Sequence, residues 1–80
     1  MDYELPKGTL VWVEPKVNAT NLSQVMVNRH GKLWVIDCIA MRRDAPSRPA
    51  WYWCRSMTDG YTYDWREDEL IVAKENENAE

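Results

Sequence analysis

This 80-residue chain has no phenylalanine, one histidine, two cysteines and three glycines. Each shortage closes a line of reading. One His (His30) and two thiols (Cys38 and Cys54), with no Cys-x-x-Cys, do not make a zinc site, so neither a metal nor a cofactor is expected. There is no Gly-x-Ser-x-Gly, no P-loop and no dinucleotide fingerprint. His30 reads as part of a hairpin loop beside Gly31, exposed and without the orienting partner that a catalytic His needs, and an enzyme is not expected. No apolar run approaches the roughly 18 residues of a transmembrane helix. Met1 is followed by Asp2 and Glu4, with neither a basic region nor an apolar one, so no secretory signal is read and a cytosolic location is expected. In that reducing setting Cys38 and Cys54 are expected to be buried free thiols, and the two glycosylation sequons at Asn18 and Asn21 carry little weight. A basic surplus is also missing. The net charge of −3 makes the chain a poor non-specific nucleic-acid binder.

What is present is aromatic bulk. Five Trp and four Tyr supply the core of a domain that buries only about 60% of its unfolded surface, and they leave amphipathic rings for the outside. Charge is split along the chain: residues 1–55 hold eight Lys or Arg against five acids, whereas residues 56–80 hold eight acids against Arg66 and Lys74. A local basic face is therefore compatible with the acidic total.

Alternating β-branched and aromatic residues read as strands. Thr9–Glu14 is the first, ended by Pro15, and residues 16–23 are a polar loop. Gln24–Asn28 reads as the second strand, joined through a three-residue loop, Arg29-His30-Gly31, to a long third strand over Lys32–Met41. The segment Arg42–Ala50, with Pro46 and Pro49, is a surface loop. The fourth strand is Trp51–Thr58, and Asp59-Gly60 predicts a type I′ turn, with Tyr61–Trp65 pairing back. That turn sets Cys54 opposite Trp65, Arg55 opposite Asp64 and Trp53 opposite Arg66. Arg66–Glu69 reads as one 3-10 turn whose consecutive acids form a solvated surface, and Leu70–Val72 is a short final strand. The reading is one domain over residues 1–73 and a frayed acidic tail over 74–80.

The order strand, Asp-Gly hairpin, strand, acidic turn, short last strand resembles the end of an SH3-like small barrel, in particular the Tudor- and KOW-like barrels. Its carriers are Lys7-Gly8-Thr9-Leu10-Val11-Trp12-Val13 and Asp64-Trp65-Arg66-Glu67-Asp68-Glu69-Leu70-Ile71-Val72, and the resemblance covers roughly residues 5–73. It implies an all-β fold, a five-stranded SH3-like barrel with one short 3-10 turn before the last strand. The opening motif, paired tryptophans and closing motif of the peptide-binding SH3 family are absent, so polyproline recognition is not implied. Stand-alone barrels of this size resemble bacterial or bacteriophage accessory proteins.

The binding surface is expected around Arg42, Arg43 and Arg48, with Trp51 and Trp53 at the loop exit and Tyr61 and Tyr63 as a competing patch. Arg forks suit carboxylates or phosphates, and Trp, Tyr and Arg are the usual contact hot spots. The function expected is a non-enzymatic module acting by protein contact, such as a bacterial or phage regulator or inhibitor. The alternative is a nucleic-acid binder using basic loops and aromatic stacking. A protein partner is expected and no membrane; the sequence leaves oligomeric state open.

Overall fold

The computed structural model describes residues 4–15, 21–42 and 48–74. Strands β1 (Leu10–Val13), β2 (Leu33–Met41), β3 (Trp51–Ser56), β4 (Thr62–Arg66) and β5 (Leu70–Lys74) form one antiparallel sheet in the order β4-β3-β2-β1-β5, and helix α1 (Asn21–His30) lies between β1 and β2 in the chain. Most of the described structure is therefore β, with one helix.

The segment expected as a second strand, Gln24–Asn28, is helical. Its apparent alternation was only Val25 and Val27, two positions, while ten residues without Gly or Pro sustain a helix. Met26 and Val27 are adjacent and both buried, whereas Leu22 and Val25 are exposed. Gln24 Nε2 donates to Asn28 Oδ1 at 3.0 Å, one helical turn on. Arg29 and His30 occupy the last turn, the favourable end for cations. Gly31 does take the left-handed conformation expected of it, φ 89°, but it does so to end the helix, its N–H donating to the Val27 carbonyl at 2.8 Å. A Cβ there would lie 2.6 Å from Thr58 Oγ1, so the position is closed to side chains by space as well as by conformation.

The β3–β4 hairpin also departs from expectation. Residues 57–60 form a four-residue loop closed by Ser56 N–H to the Tyr61 carbonyl (2.8 Å), with Gly60 N–H donating to the Ser56 carbonyl (2.9 Å). A type I′ turn needs positive φ at both central residues, yet Gly60 alone is positive here, φ 78°, and no non-glycine residue is. The pairing is therefore shifted by two residues: Cys54 faces Tyr63, Trp53 faces Asp64 and Arg55 faces Thr62. Arg55 meets Asp37 instead, Nη2 to Oδ2 3.2 Å. A two-residue shift preserves the alternation of faces, so the division of side chains between the two sides of β3 survives.

The inner face buries Val11, Val13, Trp34, Ile36, Tyr52, Cys54 and Trp65, and Met26 and Val27 of α1 join that core. Trp34 and Trp65 meet edge to face, centroids 5.4 Å apart, and Trp34 Nε1 donates to the Gly31 carbonyl at 2.8 Å. Cys54 is buried as expected, but Cys38 is exposed, and both are free thiols.

Strands β4 and β5 occupy opposite edges of the sheet, yet only the 3-10 turn Glu67–Glu69 joins them. Across a flat sheet the two edges would stand roughly 19 Å apart at about 4.8 Å per strand, while three 3-10 residues advance only about 6 Å. The sheet must curl to bring those ends together. It does not close: among the described residues no ladder joins β4 to β5. The turn is not wholly solvated, since Glu69 is buried and its carbonyl accepts the Glu14 N–H at 2.8 Å. Lys74, expected in the tail, is the last residue of β5, and residues 75–80 lie outside the described residues.

Candidate functional site

Directly paired residues of antiparallel strands share a face, so the ladders give the outer surface of the sheet row by row. Met41, Trp51 and Arg66 form one row across β2, β3 and β4; Cys38, Trp53 and Asp64 form the next; Val35, Arg55 and Thr62 form a third. Two irregularities in β2, at Ile36/Cys38 and Ile39/Met41, make this possible. Each inserts one unpaired residue, Asp37 and then Ala40, so that Cys38 and Met41 turn outward beside Trp53 and Trp51. The result is an apolar strip across β2 and β3, with Trp53 43% and Met41 60% exposed, bounded by Arg55 with Asp37 on one side and Arg66 on the other.

Charge on this face is held in place. Arg66 Nε donates to Asp68 Oδ1 at 2.7 Å, which pushes the guanidinium pKa above its ordinary value. Beneath the strip, burial, followed by the Asp37 and Asp64 carboxylates, pushes the Cys54 thiol up to about 12, so it stays protonated and unreactive at neutral pH. Cys38, on the outer face, is the accessible sulfur.

The expected site residues are divided rather than gathered. Trp51 and Trp53 lie on the outer face of β3, Trp51 half-buried and Trp53 exposed. Tyr63 points the other way: it packs against the core, its ring 4.9 Å from that of Trp65, and burial raises its phenol pKa, with Asp64 and Glu69 adding to the effect. Tyr61 stands at the loop end of the hairpin, its ring stacked on that of His30. Arg42 follows Met41 out of β2 and pairs with Glu4. Arg48 is exposed on the approach to β3. Arg43 lies outside the described residues, as do residues 44–47 of the loop. The two loop stems meet at the Met41–Trp51 pair, so the described arginines leave from the Trp51 end of the strip.

A second cluster was not anticipated. His30, expected to be exposed and unpartnered, has only 12% of its side chain accessible and places Nδ1 2.6 Å from Asp59 Oδ2. Its ring stacks on Tyr61 at 4.1 Å and 2°, and meets Trp34 edge-on at 6.4 Å. Ser56 Oγ donates to the His30 carbonyl at 2.5 Å and accepts the Thr58 N–H at 3.1 Å, and its side chain also contributes to lowering the Asp59 pKa. The cluster ties the end of α1 to the hairpin loop.

No protein-family model matches this chain, and neither a curated protein nor a solved structure matches it.

Proposed function

We propose that this protein is a non-enzymatic binding module acting by protein contact, an accessory regulator or inhibitor of bacterial or phage type in the cytoplasm, with the outer face of β3 as its contact surface. The observation that carries the reading is the pair Trp51 and Trp53, turned outward on the middle strand of β2, β3 and β4 and flanked by Met41 and Arg66. Trp, Met and Arg are the residues enriched where proteins meet, and a central strand presents them at little cost in conformational entropy. The proposal extends to the fold: the curled sheet and its 3-10 connection support an open relative of the SH3-like barrel, with α1 as an addition to that plan.

The test is affinity capture from lysate, with and without nuclease, using the wild-type chain, Trp53→Ala, and a triple variant replacing Arg42, Arg43 and Arg48 by Ala. Capture should survive nuclease, and Trp53→Ala should weaken binding to the captured protein at least tenfold, about 1.4 kcal/mol, without loss of fold. Undiminished affinity in folded Trp53→Ala together with loss in the triple variant would move the contact to the arginine loop. Capture abolished by nuclease, with affinity falling steeply as salt rises, would replace this reading with the nucleic-acid one.

A further inference from the structure

The two free edges of the sheet are built differently. β4 carries Asp64 and Arg66, charges of the kind that blunt an edge against unwanted pairing. β5 reads Leu-Ile-Val-Ala-Lys, with Ile71 53% and Val72 43% exposed; an irregularity at Ala73 interrupts its pairing with β1, and the stretch Leu70, Ile71 and Val72 before it carries neither a proline nor a charge. Among the described residues only β1 pairs with it. Its outer face continues an apolar row: Ile71 lies beside Trp12, itself 44% exposed, and Trp12 beside Leu33.

We infer that β5 is a dimerisation edge, and that its occupant is the β5 strand of a second copy of this chain. The strand is complementary to its own reverse. Leu70, Ile71 and Val72 are apolar read in either direction, so about Ile71 an antiparallel copy sets aliphatic side chains against aliphatic side chains. Symmetry then narrows the register. A closed two-fold pair of antiparallel edges requires an axis normal to the sheet, since an in-plane axis across the strands would map the strand onto itself. Outer faces therefore coincide, and one residue must oppose its own copy.

With Ile71 at the axis, Leu70 faces Val72, and the outer strip runs Trp12, Ile71, Ile71, Trp12 across both copies. With Val72 at the axis, Leu70 would face Lys74, an apolar side chain against a charge, and the strip would be broken. The Ile71 register is the one that keeps the outer apolar rows of the two copies in line. The interface uses the edge of the sheet remote from Trp51 and Trp53, so it stands or falls independently of the contact proposed on β3. A single strand pair belongs to the low-area class of interfaces, so the dimer is weak and forms only in the upper range of accessible protein concentrations.

Sedimentation equilibrium over that range should show the mass of the wild-type chain rising from monomer toward dimer, while Ile71→Lys, which sets two like charges face to face on the axis, remains monomeric. A cross-linking arm reads the register directly and uses near-isosteric changes that keep the fold. On a Cys38→Ser background, Ile71→Cys should form a disulfide dimer under mild oxidation, since it opposes itself, and Val72→Cys should form far less. A wild-type chain that stays monomeric throughout overturns the inference. So does equal cross-linking of the two variants, or association that persists in Ile71→Lys and disappears in Trp53→Ala.

Discussion

The Asp59 carboxylate accepts a hydrogen bond from His30 and another, through Oδ1, from the Tyr61 N–H at 3.0 Å. The first does most to hold its pKa below the usual carboxylate range. A folded-state pKa below the unfolded one means that the ionised form favours folding. That contribution is complete above the unfolded carboxylate value of about 3.9 and is lost as pH falls through the lower folded value. The stability gap between wild type and Asp59→Asn should therefore shrink progressively below about pH 4. Denaturant unfolding at a series of pH values checks this, and a gap that persists unchanged to pH 2 would contradict it. Sequence reading could not have found this pair, because His30 and Asp59 are 29 residues apart and meet only through a helix end and a hairpin loop. Trp53 was legible for the opposite reason. Its outward direction depends on the parity of one strand, and parity withstands a two-residue error in pairing. The same parity rule, applied to β4, would have turned Tyr63 inward beside Trp65.

At the scale of the element, α1 makes the most discriminating case. In a strand Val25 and Val27 would share a face and respond alike to substitution; on the helix Val27 is buried with Met26, while Val25 is exposed. Val25→Lys should change stability by no more than about 0.5 kcal/mol, whereas Met26→Lys and Val27→Lys, which bury an unpaired charge, should each cost more than about 2 kcal/mol. Urea unfolding of the three variants decides the matter, and equal losses at 25 and 27 would restore the strand. The sequence pattern misled because two valines at alternate positions satisfy a strand template and a helix equally over so short a span. The Asp-Gly signal misled differently. It marks the place of a turn well, but the loop length was set by where Asp59 and Ser56 could cap the backbone, through Tyr61 N–H and Thr58 N–H.

For the molecule as a whole, the strands β1, β2, β3 and β4, the 3-10 turn and a last strand were readable, because strong β-formers separated by turn residues are local signals. The curl of the sheet follows from a connection length and a strand order taken together, and only the length was visible in the sequence. The position of the helix, and with it the covering of the core by Met26 and Val27, rests on long-range packing that no local pattern encodes. The division of the tryptophans has an optical consequence. Trp34 and Trp65, at most 1% exposed, sit in the core, whereas Trp12 and Trp53, at 44% and 43%, stand on the outer surface near β5 and on β3. Iodide, being confined to water, should quench Trp12 and Trp53 most, the half-buried Trp51 less, and spare the inner pair, so the chain carries an outer and an inner fluorescent signal of its own. One reports occupancy of its surfaces, the other the integrity of its interior, and they can be read in the same cuvette without a label.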